Sequence, residues 1–131
     1  MYVGVQQGDR LVTLKEVAEA YQISVNHLRK VVHRLALSGM LESRQGRNGG
    51  ILLGHPAEQI RIGDVIRLME QREEPIDCEA RECILLPGCA LRDQLRLAIT
   101  AFYDSLNQVT LADILGTRGM YEQLVTIRPA E

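Results

Sequence analysis

The chain has 131 residues, 46% hydrophobic and 24% charged, with a net charge of −2. This length suits one domain, or one domain with an appendage, and a core that needs no disulfides. No apolar run approaches the ~20 residues of a membrane span, Met1–Arg10 lacks the regions of a secretion signal, and −2 excludes a uniformly basic nucleic-acid binder; the expectation is a cytoplasmic protein with reduced cysteines and no membrane partner.

Met1–Val5 reads as the tail of a helix and Gln6–Arg10 as a polar turn. Thr13 to Glu16 predicts a capping box, in which the Thr13 hydroxyl accepts from the N–H three residues on and Glu16 reaches back, with Val12 and Val17 as the hydrophobic staple. That helix should run to about Tyr21. Ile23 is expected as a buried turn residue and Ser24 as a second N-cap. Leu28, Val31, Val32 and Leu35 then share one face, and Gly39 stops the helix. Two short helices joined by a tight turn, the second amphipathic, form a helix-turn-helix pattern. Bundles contain the same pair. The outer face carries Asn26, Lys30 and His33, flanked by His27 and Arg29, and these groups suit base edges and phosphates.

Leu41–Leu53 predicts a hairpin. Asn48-Gly49 is the signal for a type I′ turn, which needs positive φ at both central residues. Arg44, Arg47 and Asn48 sit at or near the tip, so a basic hairpin follows the recognition helix in the manner of a wing. Residues 24–50 hold 5 basic and 1 acidic side chain; residues 1–62 hold 8 and 5, and residues 63–131 hold 7 and 12. This segregation fits a basic face turned to phosphate and an acidic second half, against chance clustering on a solvated surface.

Pro56 closes the wing. Ile62–Glu70 predicts a short helix with Ile62, Val65, Ile66 and Met69 on one face, and Glu70–Pro75 a polar loop. Asp77–Cys89, with Pro87-Gly88 before its last thiol, should be irregular. Leu91, Leu95, Ile99, Phe102, Leu106 and Val109 then predict a helix of about 18 residues, ~27 Å long. Its stripe is too long for so small a domain to cover, so a partner helix is the expected cover, and packing on its own domain is the alternative. Thr110 can cap a further turn, Leu111–Leu115, and Gly116–Glu131 gives no clear signal. The expected fold is mainly α with a small β wing: a winged helix-turn-helix over 1–62, then a thiol loop and a long dimerisation helix over 63–131.

The three cysteines, Cys78, Cys83 and Cys89, are spaced C-x4-C-x5-C. Irregular backbone can wrap an iron–sulfur cluster, and three thiolates so close in sequence can converge on it. Structural zinc favours paired C-x2-C knuckles, which are absent. Glu73, Glu74, Asp77, Glu79 and Glu82 surround the thiols. Their negative charge disfavours bare thiolates and suits thiolates held by metal. Three inert, buried cysteines are the bland alternative. A fourth ligand is unspecified: His27, His33 and His55 lie in the first half and read as surface or phosphate-contacting groups, which leaves nearby carboxylates or a partner subunit.

Val25–Lys30 (VNHLRK), Arg44–Ile51 (RQGRNGGI), Ile60–Val65 (IRIGDV), the cysteine spacing and Thr110–Leu115 (TLADIL) together resemble the Rrf-type winged-helix regulators. Within them the resemblance is to the NsrR branch of nitric-oxide-sensing iron–sulfur repressors, over about residues 1–115. It implies a homodimer on double-stranded operator DNA and a 2Fe–2S or 4Fe–4S cluster on Cys78, Cys83 and Cys89. It also implies repression relieved when nitric oxide attacks the cluster, at genes of nitric-oxide detoxification. The chain departs from the family pattern twice. The family opens with a full helix, of which Met1–Val5 matches only the end; in some members that helix carries a carboxylate ligand to the partner's cluster. Cluster-assembly regulators of the superfamily usually carry histidine three residues after the last cysteine, where this chain has Arg92. An iron- or cluster-status sensor of the same build is the nearest alternative, and a zinc or thiol redox regulator the next. No Ser/His/Asp or carboxylate-pair signature points to an enzyme.

Overall fold

Thr13 starts the first helix, α1 (Leu14–Tyr21), by accepting from the Glu16 backbone N–H at 3.1 Å. The return arm of the expected capping box is replaced. Glu16 Oε1 instead accepts from Tyr2 Oη at 3.0 Å and Arg10 Nη2 at 2.8 Å, because a charge-assisted pair outweighs a neutral backbone bond. The computed structural model describes residues 1–6, 10–70, 76–80, 82–86 and 88–126. The middle of the Gln6–Arg10 turn, most of the Glu70–Pro75 loop with Glu73 and Glu74, Pro87 and residues 127–131 lie outside the described residues.

Gln22 ends α1 in the left-handed region at φ 53°, and the Ile23 N–H returns to Ala18 O at 3.0 Å. Backbone bonds therefore close the turn. Ile23, expected to be buried, is 40% exposed. Helix α2 (Val25–Leu37) has Ser24 at its N-cap, but the Ser24 hydroxyl makes no cap bond. Leu28 and Val32 turn inward and join Tyr2, Val12, Val17, Ala18 and Ile51 in a first core, so the predicted staple pair is buried. Gly39, at φ 77°, turns the chain out of the helix, where an L side chain is strained.

Strands β1 (Leu41–Arg44) and β2 (Gly50–Leu53) pair antiparallel from Leu41↔Leu53 to Arg44↔Gly50. Val12 bridges to Ile51 through bonds of 2.9 and 2.8 Å, which ties the hairpin to the entrance of α1. The connection is not the expected two-residue type I′ turn. It runs through five residues, with positive φ at Gly46 (111°) and the Gly49 N–H donating to Gly46 O at 3.0 Å. Gly49 is needed for a different reason: a Cβ there would collide with the Arg44 carbonyl.

After a 3-10 turn at Ala57–Gln59 comes α3 (Ile62–Glu70), at its predicted bounds. Then follow α4 (Ala90–Leu106), α5 (Leu111–Leu115) and α6 (Arg118–Thr126). Thr110 caps α5 with a full capping box against Asp113. Arg61 and Thr110 form a bridge, with Ile62 N–H to Val109 O at 3.0 Å and Leu111 N–H to Ile60 O at 2.8 Å. A second core gathers Val5, Ile60, Leu111, Leu115 and Leu124. It draws on both ends of the chain, and Tyr2–Val5, a 3-10 helix, reaches both cores. Helix α6 lies in the stretch that carried no sequence signal, and its Leu124 and Met120 face that second core.

Helices α3 and α4 pack closely where Gly63 approaches Asn107 and the Tyr103 carbonyl. Arg67 stands 4.5 Å over the buried Tyr103 ring, a cation–π contact. On α4, Leu95, Ile99 and Leu106 are half-buried. Leu91 (64%), Leu97 (63%) and Phe102 (50%) remain exposed. Among the described residues no helix is long and apolar enough to cross a membrane.

Candidate functional site

The structure places the sequence-predicted residues in two regions. Asn26, His27, Arg29, Lys30 and His33 are all exposed along the outer face of α2, opposite the buried Leu28 and Val32. Arg44, Arg47 and Asn48 are exposed on the wing that follows. Packing of the apolar stripe fixes which way α2 faces, so the polar stripe is presented by default. Two of the cations are held by their own chain: Arg29 Nη1 donates to Asn26 Oδ1 at 3.1 Å, and Arg44 Nε pairs with Glu42 Oε1 at 2.9 Å. Lys30 and Arg47 find no such partner among the described residues.

The cysteines lie on the irregular segment between α3 and α4. All three are free and half-buried, whereas both neighbours of each are exposed: Asp77 and Glu79, Glu82 and Ile84, Gly88 and Ala90. The segment is a series of turns. Ala80 N–H donates to Asp77 Oδ1 at 2.9 Å, Cys83 N–H to Cys78 O at 3.1 Å and Leu86 N–H to Cys83 O at 3.1 Å. Cys89 is the N-cap of α4 and accepts from the Arg92 backbone at 3.1 Å. Arg92 Nη2 in turn reaches Glu79 Oε1 at 2.9 Å.

The expected convergence of the thiols is not made in the single chain. Among the described residues, no group of three or more His, Cys, Asp or Glu side chains is gathered closely enough to hold a metal ion. Metal binding of this kind is coupled to local folding. The donor set itself, three free, half-buried thiols on irregular backbone, fits an iron–sulfur cluster in kind. His27, His33 and His55 are exposed in the first half of the chain.

Sequence reasoning missed Tyr103 and the Arg92–Glu79 tie. Tyr103 follows Ile99 by four residues and precedes Leu106 by three, so helical spacing could have found it. The ion pair spans 13 residues across a loop with no periodicity to read.

The family model for Rrf2, described as an iron-dependent transcriptional regulator, matches residues 1–117. The chain belongs to the Rrf2 family. It is 39% identical to the HTH-type transcriptional regulator NsrR of Halalkalibacterium halodurans, over 98% of this chain and 90% of that protein. The structure resembles CymR of Staphylococcus aureus at 30% identity, with a TM-score of 0.65 over 87% of this chain and 86% of that one. It resembles T. potens IscR at 25% identity, again with a TM-score of 0.65, over 87% and 76%. These relatives place the chain among NsrR-type Rrf2 members with a winged-helix fold. It is a transcription regulator, not an enzyme.

Proposed function

We propose that the chain is a cytoplasmic, homodimeric repressor that binds operator DNA and releases it on exposure to nitric oxide. Residues 1–62 read the DNA, and residues 63–131 carry the sensor and the dimer helix. Cys78, Cys83 and Cys89 hold an iron–sulfur cluster, 2Fe–2S or 4Fe–4S. When bound, that group supplies iron able to react with nitric oxide. The observation that carries this reading is three free, half-buried thiols, each between exposed neighbours, on one irregular loop of an Rrf2 chain.

The chain's own residues do the rest. Asn26 and His27, at the N-terminal end of α2, are placed for base edges. Arg29, Lys30 and His33, with Arg44, Arg47 and Asn48 on the wing, are placed to contact the backbone and fix register. Cys89 begins α4, so the thiol loop is continuous with the helix whose apolar residues lack cover. A second copy covers them.

The test is the absorption spectrum and the iron and sulfide content of protein purified without oxygen. Brown protein with visible charge-transfer bands and stoichiometric sulfide is expected. Colourless protein, whether metal-free or holding zinc, contradicts the proposal.

A further inference from the structure

Within the thiol loop, one side chain of α4 reaches back across the whole segment. Arg92 sits in the first turn of α4, with its backbone N–H on Cys89 O at 3.1 Å. Its side chain is only 19% exposed, and the guanidinium meets the carboxylate of Glu79, the residue after Cys78, at 2.9 Å. Arginine offers donors and no acceptor, so it cannot ligate a metal; any role at the thiols is exerted through position. We propose that Arg92 is a positioning residue that pins the two ends of the thiol loop together, seated on Cys89 by its backbone and on Glu79 by its side chain. The pair spans 13 residues and encloses Cys83 and Cys89, with Cys78 immediately before it. Among the described residues, the bonds within and beside it are short turns: Glu82 N–H to Glu79 O, Leu86 to Cys83 and Cys83 to Cys78. Such turns open readily when nothing closes the loop around them. The guanidinium also places positive charge against Glu79, on a segment whose sequence carries Asp77 and Glu82 as well. The use of this pinning rests on the cluster reading above, but the pinning itself does not.

The experiment uses the full chain without metal. Amide exchange at Cys83 and Leu86 is measured by NMR in the wild type, in Arg92→Gln, in Arg92→Lys and in the swap Glu79→Arg with Arg92→Glu. Glu79 is 76% exposed, so the pair is worth what a partly solvated ion pair is worth. Exchange should quicken about threefold to fivefold in Arg92→Gln. It should quicken less in Arg92→Lys, where a compact charge still reaches Glu79, and return toward wild type in the swap. Unchanged exchange in Arg92→Gln, or a swap as fast as that variant, overturns the proposal. A second measurement follows iron loss to a chelator after reconstitution, which should accelerate by a similar factor in Arg92→Gln. Should exchange behave as expected while even the wild type takes up no iron, the cluster reading falls and the pinning role stands. Should iron be held equally by all variants with exchange unchanged, the pinning role falls and the cluster reading stands.

Discussion

Thr13 and Ser24 occupy the same kind of position, and only one of them acts. The Thr13 hydroxyl accepts from Glu16 N–H, whereas the Ser24 hydroxyl makes no cap bond. Thr13→Ala should therefore cost about 1 kcal/mol in urea unfolding, and Ser24→Ala less than about 0.5 kcal/mol. Equal costs contradict the geometry. At Asp113, the Thr110 backbone N–H first, and the Thr110 hydroxyl second, hold the carboxyl below its usual range. The folded value lies below the unfolded value of about 3.9. The stabilisation is thus complete above that pH and fades as pH falls through the folded value. Asp113→Asn should be less stable than wild type near neutrality, with the gap narrowing below about pH 4. A gap constant with pH removes charge from the explanation. Lys30 and Arg47 are exposed and free of intrachain partners among the described residues. Truncating both to alanine should weaken binding on all duplexes and lower the salt slope by about two, one per lost phosphate contact. Binding curves at several salt concentrations measure this, and an unchanged slope places the DNA elsewhere.

Helix α4 shows where the element scale was legible and where it stopped. Its length and apolar spacing were readable because 3.6-residue periodicity is local. Which of its residues its own chain covers was not, because that depends on the approach of α3, set by Gly63 and by Arg67 over Tyr103. The helix-turn-helix was read from caps and helical spacing, the wing from its Asn48-Gly49 turn signal and basic tip, and α3 from helical spacing. The wing's turn was misread because Asn48-Gly49 signals a tight turn only when the strands end beside it; here they end at Arg44 and Gly50. Helix α6 carries no cap or stop signal, and it is held by Leu124 against a core built from distant segments. The site was legible as a list of residues. Its internal ties, Arg29 to Asn26, Arg44 to Glu42 and Arg92 to Glu79, were not. On α4, Phe102 is the better probe of dimerisation than the half-buried Ile99, since it packs edge-on to Tyr103 and remains 50% exposed. Phe102→Glu should leave a folded monomer, because its charge stays solvated in the single chain and would be stranded in the apolar seam of the proposed dimer. Sedimentation of a stable dimer by this variant moves the interface elsewhere.

Across the whole molecule, the proposed reading half and the C-terminal helices are joined by α3, the Arg61–Thr110 bridge and the Tyr2–Val5 segment that reaches both cores. Half-sites one helical turn apart, roughly 34–36 Å, require two α2 helices at a fixed spacing. On the proposed mechanism, a change in how the thiol loop is anchored would pass through α4 to the partner subunit, alter that spacing and mismatch one reader. Coupling of about 1–3 kcal/mol corresponds to roughly 5–150-fold in affinity. The direct measurement is affinity for duplexes selected by reconstituted protein, before and after anaerobic nitric oxide, beside Cys83→Ser. Tight binding before the gas, binding weaker by about 5–150-fold after it, and weak binding by Cys83→Ser under both conditions are expected. An iron-free Cys83→Ser protein that binds as tightly as the loaded wild type contradicts the claim that the thiol loop governs DNA binding.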